Sequence, residues 1–212
     1  MTTPHPAKFS SSILPVIDDL LGDAISVLDP FAGVGLIHTL SHRDTYGIEI
    51  EPEWANQHPR TQVGNALRLP FPAKTFDAIA TSPCYGNRMA DHHNAKDASR
   101  RVGYKFSLGR DPHPESAAVL HWGSAYQAFH VEAWTEAVRV LKDGGRFVLN
   151  ISDIIRDKQV IKTSSWHQKT LISLGLTHEE TRYVRTPRMR FGANAHLRVP
   201  YEKVVLFYKV PF

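Results

Sequence analysis

The chain has 212 residues, 42% of them apolar and 22% charged, enough to bury one sizeable core and too short to fit a second full domain beside it. No apolar run approaches the length of a membrane span, and MTTPHPAKFSSS at the start lacks the charged head and apolar centre of a secretory signal. The single cysteine, Cys84, excludes an intrachain disulfide framework and fits a reducing compartment, so the cytoplasm is the expected location.

The net charge of +4 is unevenly spread. Residues 1–84 hold five Lys or Arg against nine acids, and residues 85–212 hold twenty against twelve. The excess base therefore follows the first third of the chain, where a polyanionic partner would lie.

In chain order the pattern is α/β. Residues 11–21 read as a short helix with Ile13, Leu14, Ile17, Leu20 and Leu21 on its apolar side, closed by Gly22. Residues 26–28 form a buried strand ending at Asp29, followed by a glycine turn and a helix over 34–42. A second strand covers 45–50, a helix begins at 52–58, and short strands follow at 61–63 and 76–81. The last of these runs directly into Ser82-Pro83. Residues 128–141 form an amphipathic helix with Trp134, Val138 and Leu141 inward, then a Lys142-Asp143-Gly144-Gly145 turn and a strand at 147–151. A helix at 166–174 stops at Gly175, and strands at 181–186 and 203–210 pair antiparallel. The fold class is α/β: one doubly wound, Rossmann-like sheet, mostly parallel, with an antiparallel C-terminal strand. The whole chain reads as one domain, with no internal repeat.

Ligands in such sheets bind beyond the carboxyl ends of the strands. Asp29, Glu49, Asn65 and Ser82 all fall at or just past a predicted strand end. Gly33 and Gly35 allow a tight turn and close backbone approach. Glu49 is placed to accept both hydroxyls of a ribose. A phosphate cradle is disfavoured, because no GKS or GKT follows and Asp29 would repel phosphate.

Five segments in order then carry a resemblance: HPAKFS (5–10), DPFAGVG (29–35), GIEIEPEW (47–54), GNALRLPF (64–71) and TSPCYGNR (81–88). The chain resembles the S-adenosylmethionine-dependent amino-methyltransferases of DNA, which modify N4 of cytosine or N6 of adenine. It is similar to their compact type, found without a partner nuclease and in phage genomes, so a bacterial cell or phage-infected host is the implied setting. The resemblance covers roughly the first ninety residues, with weaker likeness through LKDGGRFVLNISD (141–153). It implies S-adenosylmethionine as cofactor, held by His5, Lys8, Phe9, Asp29, Phe31, Gly33, Gly35, Glu49, Ile50, Asn65 and Ala66. TSPCY resembles the (S/N/D)PPY motif, which assigns Ser82, Pro83 and Tyr85 to catalysis.

The chemistry explains the motif. The lone pair of a base amino nitrogen is delocalised into the ring, so a site must draw the amino hydrogens out of plane. The resemblance gives that task to Ser82 Oγ and the Pro83 carbonyl, with Tyr85 stacking on a base flipped out of the duplex. Ser82 tilts the target toward cytosine N4. Two positions depart from the pattern: Cys84 replaces the second proline, and Asn65 stands where aspartate is common, so contact with the cofactor's adenine amine would use an amide oxygen. Cys84 is not expected to act as a nucleophile. An RNA guanine-N2 methyltransferase, or an inactive nucleic-acid binder of the same fold, are the alternatives.

Recognition of double-stranded DNA is expected from two basic segments. Residues 86–127, with six basic and four acidic residues, read as an inserted lid carrying Arg88, Arg100, Arg101, Lys105 and Arg110. Residues 182–198 form a second basic loop, with Arg188, Arg190, Asn194 and His196 as candidate contacts. Two modest loops imply a short recognition sequence, or one completed by a second copy in a homodimer. His92, His93, His113 and His121 show no metal-ligand spacing, so no metal is expected. Trp54, Trp122, Trp134 and Trp166 read as packing residues.

Overall fold

The computed structural model describes residues 3–6, 12–86, 103–156, 158–186 and 199–211. In chain order the elements are α1 (Leu14–Leu21), β1 (Ser26–Asp29), β2 (Asp44–Glu49), α2 (Pro52–Ala55), β3 (Thr61–Val63), β4 (Phe76–Thr81), α3 (Tyr104–Leu108), α4 (Ser124–Val140), β5 (Leu141–Ile151), β6 (Ile154–Arg156), β7 (Gln159–Ile161), α5 (Thr163–Ser173), β8 (Leu176–Arg185) and β9 (Tyr201–Lys209). Among the described residues, seven strands form one sheet in the order β3-β2-β1-β4-β5-β9-β8. The pairs β1–β2, β2–β3, β1–β4 and β4–β5 are parallel, whereas β9 runs antiparallel to both β5 and β8.

Strand alternation builds a core on each face. Leu28, Ile79, Phe147, Leu149, Val205 and Phe207 point to the side where Trp134 and Ala137 of α4 and Leu171 of α5 pack. Their neighbours Val27, Ala78, Ala80, Val148, Val204 and Leu206 point to the other, where Ile17, Leu20 and Leu21 of α1 lie. Period-two burial on both faces is what a sheet covered by helices on both sides requires.

Chain order reverses at β1, with β2 and β3 on one side and β4 and β5 on the other. That switch point opens a crevice at the carboxyl ends of β1 and β4. The two ends are tied together: Thr81 Oγ1 donates to Asp29 Oδ1 at 2.7 Å, buried.

Several elements differ from the sequence expectation. The helix over 34–42 is only a 3₁₀ turn, Leu36–Thr39. Its His38 turns inward between Thr45 Oγ1 (2.9 Å) and Thr61 Oγ1 (2.8 Å) instead of continuing an outward helical face. The glycine turn at 142–145 is absorbed into β5 as a bulge: pairing steps from Phe76 opposite Leu141 to Ala78 opposite Arg146, and Gly144 takes a φ of +74°. β8 starts at Leu176, earlier than expected, because its THEETR stretch is an exposed edge with no apolar alternation to read. The β6–β7 hairpin was not expected. The described part of the 86–127 insertion is not structureless: it holds α3, a 3₁₀ turn at Ala117–Val119 and the start of α4, with Tyr104, Ala117 and Ala118 buried.

Candidate functional site

The crevice is a cleft of about 300 Å³, walled by the loop after β1, the ends of β2 and β4, the turn after β3, α3, and the facing parts of α4, β5 and β9. Its lining brings together His5, Phe31, Gly33, Glu49, Ile50, Asn65 and Ala66 with Ser82, Pro83 and Tyr85. Two stretches some fifty residues apart in sequence thus share one cavity because β1 and β4 are adjacent.

At one end the loop after β1 folds over two buried carboxylates. Asp29 accepts from the Phe31 N–H at 3.0 Å as well as from Thr81, while its Oδ2 is buried with no partner among the described residues. Burial pushes its carboxyl up to about 7, with the bonds from Thr81 and Phe31 pulling the other way. Glu49 Oε2 accepts from the Gly33 N–H and Oε1 from the Glu51 N–H, both at 2.9 Å. Burial pushes this carboxyl up to about 7 as well. Gly33 has a φ of +54°, and a Cβ there would meet the His5 ring at 3.2 Å, so both conformation and space call for glycine. His5 stacks edge-on against Trp54, ring centroids 4.3 Å apart.

Gly35 lies outside the cleft wall, where a Cβ would meet the His38 ring and His58. Asn65 differs from expectation in detail: its Oδ1 already accepts from the Leu67 N–H at 2.9 Å, and the atom left buried without a partner among the described residues is the donor Nδ2. A ring nitrogen, rather than an amine, is the complement of that donor.

At the other end lies a polar cluster around the residues after β4. Ser82 Oγ is 3.0 Å from Tyr85 Oη, which donates to Glu202 Oε2 at 3.1 Å. Asn150 Nδ2 reaches Glu202 Oε2 (2.7 Å), Tyr85 Oη (3.0 Å) and Ser82 Oγ (3.2 Å). Cys84 Sγ sits 3.3 Å from Tyr104 Oη, and burial pushes its thiol up to about 12, which removes it as a nucleophile near neutral pH. The Cys84 carbonyl accepts from Tyr126 Oη at 2.7 Å.

Sequence reasoning missed Glu202 and Asn150. Each stands two residues from apolar members of its strand's inward row, Val148 for Asn150 and Val204 for Glu202. A polar residue on that parity was the available signal.

Lys105 and Arg110 are already engaged. Lys105 pairs with Asp111 at 2.6 Å, and Arg110 Nη2 bonds Glu51 Oε2 (2.7 Å) and Glu53 Oε2 (2.6 Å). Lys8, Phe9, Arg88, Arg100, Arg101, Arg188, Arg190 and Asn194 lie outside the described residues. Among the described residues no cluster of His, Cys, Asp and Glu is arranged to hold a metal, and no helix is long and apolar enough to cross a membrane.

No model of a known protein family matches the chain, and no curated protein matches its sequence. Solved structures do match its fold. A SAM-dependent methyltransferase from Methanosarcina mazei aligns with TM-score 0.61 at 13% identity, over 93% of this chain and 98% of that one. Geranyl diphosphate C-methyltransferase from Streptomyces coelicolor, solved with S-adenosyl-L-homocysteine, aligns with TM-score 0.60 at 14% identity, over 94% and 78%. The [4+2]-cyclase SpnF aligns with TM-score 0.56 at 12% identity, over 97% and 85%. The chain has the Rossmann-like fold of class I S-adenosylmethionine-dependent methyltransferases, and the cyclase shows that this fold alone does not fix the reaction.

Proposed function

We propose that this protein transfers the methyl group of S-adenosylmethionine to an exocyclic amino nitrogen of a base in double-stranded DNA, with cytosine N4 favoured over adenine N6. The observation that carries the reading is the meeting, in one cleft, of a buried carboxylate and glycine loop suited to a nucleoside with a Ser-Pro-Cys-Tyr turn that presents oxygen acceptors. The donor set fits the cofactor: Glu49 offers acceptors for ribose hydroxyls, Asn65 an unsatisfied donor for a ring nitrogen, and Ile50, Ala66 and Phe31 apolar surface for a base. When bound, the cofactor supplies an electrophilic methyl group on a sulfonium.

The chain's own residues do the rest. Ser82 Oγ and the Pro83 carbonyl accept the amino hydrogens, which turns the nitrogen lone pair out of conjugation. Tyr85 holds the base by its ring face. Fixed acceptors in a partly closed cleft need no reorganisation as charge develops on nitrogen. Arg88, Arg100, Arg101, Arg188, Arg190 and Asn194 are the proposed contacts to DNA.

The test is transfer of labelled methyl to unmethylated double-stranded DNA, with nucleoside mass spectrometry of the product. N4-methylcytosine is expected, falling about 100-fold or more in Ser82→Ala. Methylated guanosine in parallel RNA, with none in DNA, would overturn the DNA reading; cofactor binding without transfer to either would mark an inactive binder.

A further inference from the structure

Methylating an amino nitrogen leaves it with one proton too many, and a serine hydroxyl cannot keep that proton. It can only accept one while passing its own along. With Ser82 at the catalytic turn, the site therefore needs a base elsewhere, and the cleft contains a carboxylate that the sequence motifs do not include.

Donor counting gives the direction of the chain. Tyr85 has one hydroxyl hydrogen and a carboxylate oxygen, Glu202 Oε2, at 3.1 Å, so that hydrogen goes to Glu202. The 3.0 Å contact between Ser82 Oγ and Tyr85 Oη is then made by the serine hydrogen. Asn150 Nδ2 has two hydrogens, which its shorter contacts direct to Glu202 (2.7 Å) and Tyr85 (3.0 Å). Its longer contact to Ser82 Oγ (3.2 Å) leaves the serine lone pairs open toward the cleft. Asn150 is 1% exposed, so this cross-brace is fixed within the fold.

Resting on the amino-methylation reading above, we infer that Ser82, Tyr85 and Glu202 form a proton relay that ends on the Glu202 carboxylate, with Asn150 bracing Tyr85 and Glu202. As the nitrogen–carbon bond forms, the sulfur–carbon electron pair stays on sulfur and one nitrogen proton moves to Ser82 Oγ. The serine proton moves to Tyr85 Oη, and the tyrosine proton to Glu202 Oε2. Serine and tyrosine end neutral, the carboxylate ends protonated, and the proton leaves to water. Glu202 acts through Tyr85 and Ser82, which makes it a positioning residue that also takes up the proton.

The test uses the full chain with unmethylated DNA, the rate being read across a range of cofactor concentrations up to saturation. Glu202→Gln keeps the shape and removes the base, and the rate is expected to fall about 100-fold while the KM for cofactor stays unchanged. Formate is expected to restore part of the rate to Glu202→Ala and none to Tyr85→Phe, a rescue that a purely structural role would not give. A readout without turnover is the ¹³Cζ resonance of Tyr85 in the cofactor-free protein, identified by its absence in Tyr85→Phe. It is expected to shift in Glu202→Gln as the carboxylate acceptor is lost. An active parent with Glu202→Gln within about twofold of it, or an unmoved Tyr85 resonance, would overturn the relay alone. A parent that methylates neither DNA nor RNA would overturn the functional reading and the relay with it.

Discussion

Glu49 and Asp29 are each pushed up to about 7 by burial, so both change charge near neutral pH. Ribose hydroxyls donate best to an ionised carboxylate. The affinity for S-adenosylhomocysteine, measured by calorimetry, is therefore expected to rise about tenfold from pH 6 to pH 8 for titration of one such group near 7. Glu49→Gln should flatten much of that rise. The same shift has a stability consequence of definite sign: an acid whose folded value lies above its unfolded one contributes stability that is full below the ordinary carboxylate range and lost as pH rises through about 7. His130, held down to about 4 by burial, acts oppositely and loses its contribution as pH falls from its ordinary 6.5. Because the two overlap, the pH dependence of the difference between parent and Glu49→Gln in urea unfolding isolates the glutamate. Cys84 offers a simpler check. With its thiol pushed up to about 12, Cys84→Ala should retain methyl transfer, and iodoacetamide should not label the folded parent at pH 8.

At the scale of elements, the Ser82–Tyr85 turn is held by the helices behind it. Trp134 Nε1–H can only donate, and it reaches His167 Nδ1 at 2.9 Å, which leaves the neutral ring's proton on Nε2. Burial holds His167 well below its ordinary range, so the ring stays neutral. His167 Nε2–H then donates to Tyr126 Oη at 2.9 Å, and Tyr126 donates to the Cys84 carbonyl at 2.7 Å. A line from α5 through α4 thus fixes the peptide at Cys84, next to Ser82 and Pro83. Tyr126→Phe leaves the part-buried Cys84 carbonyl and the buried His167 N–H without this partner and should cost about 1–3 kcal/mol in urea unfolding. None of this line was legible in the sequence, since Tyr126 fell within the 86–127 insertion, ahead of the helix expected from 128, and His167 read as an ordinary member of the helix over 166–174. The parallel strands and the glycine loop were legible, because strand ends, turn glycines and apolar runs are local signals. Glu202 and Asn150 were not, because their meeting with Ser82 depends on β4, β5 and β9 lying side by side.

The whole-molecule charge pattern also changes meaning once the fold is known. Of the cations that follow Tyr85, Lys105, Arg110, Arg139, Lys142, Arg146, Arg182, Lys203 and Lys209 each hold an ion pair within the chain. Arg110 in particular sits across Glu51 and Glu53, next to the Glu49 strand end, where it offsets acidic charge beside the cleft. Counting bases in the sequence therefore overstates what is left to meet a phosphate backbone. The proposed DNA contacts and the paired cations make opposite predictions in salt. Each phosphate neutralised adds close to one to the slope of log affinity against log salt. Arg188→Ala is expected to weaken DNA binding and lower that slope by about 1, read by fluorescence anisotropy across a salt series. Arg110→Ala should leave the slope unchanged, because its guanidinium already serves two carboxylates, and should instead weaken S-adenosylhomocysteine binding by freeing negative charge beside Glu49. Equal slopes for Arg188→Ala and the parent would remove the 182–198 segment from the DNA interface.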